Sequence, residues 1–209
     1  MRVSLILLSC FALLGAGAFW FGMPYGAKGL HRVELGQTRA EAEKALGAAA
    51  FFGRTCFGEL AVFTDLEEDG ADRHIMAVLD EQTQRVKARE VQIEPATVSG
   101  SQQCSRMVVA TAQTSFSSIN WADRKPGFYS AGVSQRHFLR RVTGQSTSME
   151  VWGDYKEDGN GKTCEIFVRE AIQGEERLAS NGEWTLPGTQ NAIAFDMNQG
   201  AGTTQGSGS

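Results

Sequence analysis

Three strand-length runs joined by short turns are the feature that most limits how this chain can fold. The runs are ELAVFTD (59–65), RHIMAVLD (73–80) and VKAREVQIE (86–94), and they are separated by the turn segments EEDGA and EQTQ. Strands joined by so few residues pair in antiparallel fashion, because a parallel pair needs a long crossover connection. Residues 59–94 therefore predict an antiparallel β-meander.

A short helix is predicted just before this meander. Thr38 is a good N-cap residue, and Glu41 follows it at the capping-box spacing, so that each side chain can satisfy a backbone N–H group of the other residue. Gly47 is placed to end the helix in a left-handed conformation. A helix of about eight or nine residues is marginal by itself, and we therefore expect it to lie on the sheet.

The residues around this helix carry a resemblance to a known family. The stretch LGQTRAEAEKALGA has a Gly-x-Thr turn before the helix and Leu-Gly at its end, and it resembles the signature of the BamE/SmpA–OmlA family of small envelope domains. It is also similar to the repeat of the β-lactamase inhibitory proteins, in which helix-and-meander units occur in tandem. The matching residues are Leu35, Gly36, Thr38, Arg39, Leu46 and Gly47. The resemblance covers residues 33–94 and implies an envelope location and a scaffolding or docking role more than catalysis.

The second half of the chain reads mainly as further strands. The candidate segments are 105–116, 127–133, 148–155 and 162–170, and residues 136–142 form either another strand or a turn. Residues 62–81 align without gaps with residues 151–170, which indicates either a duplicated module or two similar Asp-Gly turns. The predicted fold class is α+β: a short N-terminal helix packed on an antiparallel β-meander, followed by a β-rich second half and preceded by one transmembrane helix or signal peptide.

The N-terminal segment supports two interpretations. No charged residue lies between Val3 and Met23, and an apolar run of about 20 residues can cross the hydrocarbon core of a bilayer as a helix. The same segment fits an export signal, with Arg2 as its positive region and a small-residue cleavage site ending at Ala18. The first interpretation predicts an inner-membrane protein of a bacterial type with a periplasmic domain, in contact with lipid through residues 3–23. The second predicts a periplasmic or secreted protein.

These observations divide the chain into five parts. Residues 1–23 are the membrane anchor or signal peptide, and residues 24–32 are a linker that contains Pro24. Residues 33–95 form the BamE-like helix-and-meander module, and residues 96–197 form a β-rich second module. Residues 198–209, QGAGTTQGSGS after one Asn, lack large apolar side chains and are expected to be a disordered tail.

The cysteines are compatible with export. Beyond Cys10, the chain contains Cys56, Cys104 and Cys164, and no CxxC or Cys/His cluster of the kind that binds zinc. One disulfide and one free thiol are expected in an oxidising compartment, whereas three buried thiols are expected in a reducing one. Three pairings are open, of which we favour Cys104 with Cys164, because both lie in the second half.

Catalytic and metal-binding patterns are weak. Residues 154–165 place Asp, Asp, Gly and Glu as in a calcium loop, but Lys156 stands where a ligand is needed, so a plain β-turn is favoured. A Cys56/His74 or Cys104/His137 nucleophile pair would have to assemble in space. We predict a non-enzymatic protein without a cofactor. The net charge of −4 provides no basic field for nucleic acid.

Protein recognition is the function that the composition of the second half favours. Trp, Tyr and Arg are the residue types that anchor protein interfaces. The candidate interface residues are Trp121, Arg124, Arg136, Arg140, Arg141, Trp152 and Tyr155. The first hypothesis is a membrane-tethered accessory or assembly factor that docks on another membrane or periplasmic protein. The alternatives are a secreted inhibitor or binding module of the β-lactamase-inhibitory type, and a hydrolase or thiol enzyme whose site assembles in space.

Overall fold

Eight β-strands in a single antiparallel sheet make up most of the protein. The computed structural model describes residues 27, 29–55, 57–68, 71–121, 125–131, 134–143, 146–179 and 181–184. The strands are β1 (Phe51–Arg54), β2 (Leu60–Glu68), β3 (Ala71–Leu79), β4 (Val86–Thr97), β5 (Gly127–Ala131), β6 (Ser134–Thr143), β7 (Thr147–Asp158) and β8 (Gly161–Ile172). The described helices are a 3₁₀ turn (Leu30–Arg32), α1 (Arg39–Leu46) and α2 (Ser101–Ser115).

The sheet consists of two four-stranded meanders that meet at their last strands. The strand order is β1-β2-β3-β4-β8-β7-β6-β5. β4 and β8 pair in antiparallel register, with Val91 opposite Val168. Between the meanders, the chain leaves β4, passes through α2 and enters the sheet again at the far edge strand β5. Each meander is therefore preceded by one helix.

The predicted first helix is confirmed. Thr38 accepts a hydrogen bond from the backbone N–H of Glu41, and the Glu41 carboxylate accepts one from the backbone N–H of Thr38, which completes the capping box. Gly47 follows the helix with φ of 96°, which a glycine adopts without steric cost. Ala42 and Leu46 are the buried residues of α1, and they pack into the core that the sheet provides.

The two faces of the sheet differ in what covers them. On the helix face, α1 and α2 pack against inward side chains such as Val62, Val91 and Val168, which belong to the main hydrophobic core. Gly153 of β7 lets α2 approach closely, because a Cβ there would lie 2.7 Å from Val108 Cγ2. The opposite face, here called the open face, carries no helix in the described part of the chain.

The predicted fold class is wrong in separating a helix-and-meander unit from a β-rich second half. β4 continues past Pro95, where its register against β8 shifts, and the two halves form one eight-stranded sheet with two short helices. The prediction of a strand at 105–116 is also wrong, because α2 occupies this region. The residues that α2 buries recur at helical spacing: Cys104, Met107, Val108, Thr111, Ala112 and Ser115.

The other predicted strands are present, and one strand was missed. β1 occupies residues that lacked any predicted strand, whereas residues 136–142, predicted as a strand or a turn, belong to β6. The similarity between residues 62–81 and 151–170, here called the internal echo, aligns the β2–β3 hairpin with the β7–β8 hairpin. These are the second and third strands of one meander and the third and fourth of the other. The aligned segments thus occupy different positions in the two meanders, which favours similar turn chemistry as the cause of the echo.

Several predictions concern residues outside the described part. These are the membrane anchor or signal peptide at 1–23, part of the linker at 24–32, and the tail at 198–209. Among the residues that the structure does describe, no helix is both long and apolar enough to cross a bilayer. The described end of the linker contributes Leu30, which is fully buried in the main core.

Candidate functional site

A groove lies on the open face of the sheet. Its volume is about 640 Å³, which lies in the range of ligand-binding clefts, about 300–1,000 Å³. The groove lies over β1, β2, β3, β4 and β8. Its lining residues are Phe51, Thr55, Phe57, Phe63, Thr64, Asp65, His74, Ile75, Met76, Glu90, Gln92, Glu165, Phe167, Arg177 and Trp184.

Strand periodicity explains which side chains reach the groove. Successive side chains of a strand point to opposite faces, so one residue in two faces the open side. Phe63 and Asp65 of β2 therefore share a face, and they lie opposite Met76 and His74 of β3. The same alternation brings Gln92 of β4 beside this pair of strands.

The apolar surface of the groove is aromatic. Phe51 of the edge strand β1 stacks on Phe63, with ring centroids 5.1 Å apart, and Phe51 is 57% exposed. On the far side, Phe167 stacks on the buried Trp152 at 5.0 Å, and Trp152 meets Trp184 edge to face at 5.3 Å. Stacked and edge-to-face pairs hold aromatic rings in defined positions, so the groove has a shaped apolar lining before any ligand arrives.

One wall of the groove is a covering segment, residues 173–179 and 181–184. Leu178 is fully buried in a small core with Phe138 and Trp152, and it forms a β-bridge with Trp184. The backbone N–H groups of Arg177 and Leu178 donate hydrogen bonds of 2.9 Å to the two carboxylate oxygens of Glu150. The segment is thus held by backbone and side-chain contacts to β7 beneath it.

Buried charges fasten this wall to the centre of the sheet. Glu90 of β4 accepts hydrogen bonds of 2.9 Å from Arg169 Nη1 and from Arg177 Nε. Arg177 Nη2 lies 2.8 Å from a carboxylate oxygen of Glu59, and its guanidinium lies 4.2 Å above the Phe57 ring. All of these charged side chains are almost completely shielded from solvent.

The two buried carboxyl groups have pKa values shifted in opposite directions. Burial acts to raise the pKa of Glu90, but Arg177 and Arg169 outweigh it and hold the pKa below its ordinary value. Burial raises the pKa of Glu150, although Arg169 and two backbone N–H groups act against this shift. Glu90 is therefore the carboxylate that the buried guanidinium groups keep ionised.

The polar groups that face the groove form hydrogen-bonded pairs. His74 Nδ1 lies 2.6 Å from Asp65 Oδ1, on directly opposed positions of β3 and β2. Gln92 Nε2 donates a hydrogen bond to Glu165 Oε1 across β4 and β8. The side chains of His74 and Asp65 are 47% and 75% exposed. These groups can contact a ligand that occupies the groove, and the described residues include no cluster of three metal-ligating side chains.

The residues predicted as an interface do not form one exposed surface. Trp121 and Tyr155 are buried in the core of the helix face. Trp152 is fully buried on the open face. The Arg136 guanidinium is paired with Asp154 at 2.7 Å and lies 4.4 Å from the Trp184 ring.

Two of the remaining predicted interface residues, Arg140 and Arg141, lie on β6. Arg140 is directed toward Glu150 and Glu176, at 3.9 Å and 3.5 Å, and Arg141 points to the helix face, opposite Met149. Arg124 lies outside the described residues. Trp152 and Arg136 do not line the groove, but both contact Trp184, which belongs to the groove wall. The sequence analysis did not identify the groove residues. Phe63 and Asp65 are two positions apart in one strand, as are Glu165 and Phe167, and this spacing places both members of each pair on the same face.

The favoured cysteine pair lies at disulfide-bonding distance. The sulfur atoms of Cys104 and Cys164 are 1.99 Å apart and their Cα atoms 5.5 Å apart, which joins α2 to β8 inside the core. Cys56 lies outside the described residues. Cys104 belongs to this disulfide and offers no thiol to His137, whose Nε2 lies 2.7 Å from Ser101 Oγ. Burial lowers the pKa of His137.

Comparisons with other proteins find no matching family model, no matching curated protein and no matching solved structure. The relationship to the BamE/SmpA–OmlA family or to the β-lactamase inhibitory proteins therefore stays a prediction from residues 33–94.

Proposed function

We propose that this protein is a non-enzymatic docking protein of the cell envelope. The apolar N-terminal segment holds it beside the membrane, and the groove on the open face receives a segment of another membrane or periplasmic protein. The observation that carries this proposal is the groove itself: an aromatic lining with a small number of accessible polar groups. This combination is typical of binding sites.

The groove is built to keep its shape. The β-sheet provides its floor, and the buried Glu90–Arg177 ion pair holds its wall. A site that is ordered before binding loses less conformational entropy when its ligand arrives. Exposed Phe51 at the rim and Trp184 in the wall are aromatic residues of the kind that dominate binding energy at protein interfaces.

The chemistry of the lining supports binding more than catalysis. The accessible pair His74–Asp65 lies beside phenylalanine rings and amide or carboxylate side chains, and the described lining residues place no thiol or serine hydroxyl beside it. An imidazole that faces a carboxylate on the neighbouring strand is an ordinary cross-strand pair.

The proposal can be tested by site-specific photo-crosslinking in native membranes. A photoreactive phenylalanine analogue is placed at Phe51 or at His74, both on the groove, and at Phe52 as the matched control. Phe52 is adjacent in sequence but lies on the helix face, where Arg39 covers its ring at 3.7 Å. We expect both groove positions to crosslink to the same identified protein, at one continuous stretch of its sequence, and Phe52 not to do so.

Two results would overturn the docking proposal. One is an absence of adducts from both groove positions in a folded, correctly located protein. The other is equal crosslinking from Phe52, which would mean that the contacts are not specific to the open face. Cleavage after Ala18 would favour the secreted binding module instead, with the same groove as its contact surface.

The hydrolase alternative has one specific observation in its favour. Ser101 at the start of α2 is within hydrogen-bond distance of His137, as in a nucleophile and base pair. A fluorophosphonate probe tests it directly. Labelling that disappears in a Ser101→Ala variant would favour the hydrolase, whereas we expect the protein to remain unlabelled.

A further inference from the structure

The accessible charges around the groove are predominantly of one sign. Asp65 and Glu165 line it, and the side chain of Asp65 is 75% exposed. Glu67 and Asp72 are directly opposed on β2 and β3, one open-face position beyond Asp65 and His74, and both are exposed. Like charges placed opposite each other on neighbouring strands are unfavourable without a counter-ion.

The strand register places these carboxylates in two neighbouring rows of the open face. Asp65 is in register with His74, Gln92 and Phe167, whereas Glu165 lies one open-face position farther along β8 than Phe167. Glu165 of β8 lies opposite Asp154 of β7, and Asp154 lies opposite Arg136 of β6. Neighbouring strands are separated by about 4.8 Å, so Asp65 of β2 and Glu165 of β8 lie roughly 14 Å apart across the sheet, and both line the groove.

Few cations compensate these carboxylates. Asp154 is neutralised by Arg136, whose Nε and Nη2 lie 2.7 Å and 2.8 Å from its two carboxylate oxygens. Lys156 is one further open-face position along β7, and His74 faces Asp65. Among the described residues, none of the ion pairs includes Glu67, Asp72 or Glu165. The groove therefore combines an aromatic lining with a surplus of accessible negative charge.

We infer that the segment held in the groove is an extended polypeptide stretch that carries a lysine or arginine next to apolar side chains. The apolar side chains lie against Phe51, Phe63 and Phe167, and the basic side chain reaches Asp65 or Glu165. This inference rests on the proposed docking function and names its partner chemistry. Carboxylates around an apolar cleft attract a cationic partner and disfavour an acidic one, and a long basic side chain can lay its aliphatic stem on an aromatic ring.

The probes are three blocked pentapeptides that differ only at the centre. Each has Leu and Phe on both sides, and the central residue is lysine, norleucine or glutamate. Full-length protein in phosphatidylcholine nanodiscs is immobilised, and empty nanodiscs provide the reference. We expect the lysine peptide to bind about three- to tenfold more tightly than the norleucine peptide, since each partly exposed carboxylate contributes modestly. The glutamate peptide is expected to bind most weakly.

The decisive variant is Asp65→Asn together with Glu165→Gln. It should bind the lysine and norleucine peptides with Kd values within about twofold of each other, while the norleucine Kd stays at the wild-type value. Unchanged norleucine binding shows that the groove is intact. The matched control is Glu34→Gln, an exposed carboxylate before α1, which should retain the full preference. In the wild-type protein, 500 mM salt should remove most of the preference, since exposed charges are screened.

The outcomes separate this inference from the docking proposal. Equal binding of the lysine and norleucine peptides by the wild-type protein, or tighter binding of the glutamate peptide, overturns the charge preference. Binding of spermidine as tight as that of the lysine peptide would also overturn it, because spermidine carries the charge without apolar side chains. If groove-specific crosslinks are obtained in such a case, docking stands and only the partner chemistry is wrong. If neither peptides nor crosslinks are observed, both proposals fall.

Discussion

Replacing Glu90 with Gln removes the charge that joins two buried arginines to the centre of the sheet, and it is expected to destabilise the protein strongly. Glu90 accepts hydrogen bonds from Arg169 and Arg177, and the side chains of all three residues are at most 5% exposed. Gln keeps the size of the side chain and one acceptor oxygen. The substitution therefore removes charge compensation with little change of packing.

The expected loss of stability depends on the partners that Arg169 and Arg177 keep after the substitution. Arg177 keeps Glu59 at 2.8 Å, and Arg169 keeps the Glu175 carbonyl oxygen at 2.9 Å. Breaking a buried ion pair costs about 3–5 kcal/mol. Because both cations keep another partner, we expect the lower end, about 3 kcal/mol in the free energy of unfolding. The matched control is Glu43→Gln, which removes an exposed pair with Arg39 and should cost less than about 0.5 kcal/mol.

The difference in the free energy of unfolding between wild type and Glu90→Gln should depend on pH with a definite sign. The pKa of Glu90 is lower in the folded protein than its ordinary value of 4.5, because Arg177 and Arg169 favour the ionised form against the effect of burial. Stabilisation by a carboxyl group with a lowered pKa is complete above the unfolded value and is lost as the pH falls through the folded value. The difference between wild type and Glu90→Gln should therefore be largest near neutral pH and shrink below about pH 4.5.

Chemical denaturation followed by tryptophan fluorescence measures this difference at pH 7 and at several acidic pH values. Trp184 lies 6.0 Å from the Arg177 guanidinium and 5.3 Å from Trp152, so its environment also reports on the groove wall. A loss smaller than about 1 kcal/mol at pH 7 would refute the assignment of Glu90 as the charge that holds the two buried arginines. So would a difference that grows as the pH falls.

Three further predictions address other parts of the molecule. Replacing Cys104 and Cys164 with alanine should lower the free energy of unfolding by about 4 kcal/mol, since the pair closes a 60-residue separation, and denaturation curves will show it. In the unreduced protein these two cysteines should resist labelling by a thiol reagent, and full labelling of both would contradict the disulfide. Gly153→Ala should cost about 1–3 kcal/mol, because its Cβ would lie 2.7 Å from Val108 in α2, whereas Gly159→Ala, with open space around it, should cost little by the same assay. Mass measurement of the native protein should find residues 1–18 retained, and their loss would contradict the membrane-tethered form.

Short-range features of the fold were the most predictable. The α1 capping box depends on Thr38 and Glu41 alone, and the hairpins depend on turn residues between adjacent runs of apolar side chains. The error at α2 has a different cause. Its Val, Thr and Ser residues have weak helix preferences, and this composition favours a strand. The i, i+3, i+4 spacing of its buried residues indicates a helix instead.

The groove could be predicted only in part. Alternation along β2 places Phe63 and Asp65 on one face, but it does not say which strand lies beside them or what covers the face. Glu90 and Arg169 occupy positions that alternate with apolar residues, so they look like solvent-facing side chains in the sequence. They are buried because the covering segment lies over them, and its Arg177 donates a hydrogen bond to the same Glu90 carboxylate oxygen as Arg169 does.

The sequence by itself determined where α1 begins and ends and which strands form hairpins. Only the tertiary structure decided that the two meanders join through β4 and β8, that the open face lacks a helix in the described part of the chain, and that an aromatic groove with accessible carboxylates forms there. The physical reason is the range of the interactions. Caps and tight turns involve residues a few positions apart, whereas the β4–β8 pairing joins residues such as Val91 and Val168, whose partnership depends on the whole sheet.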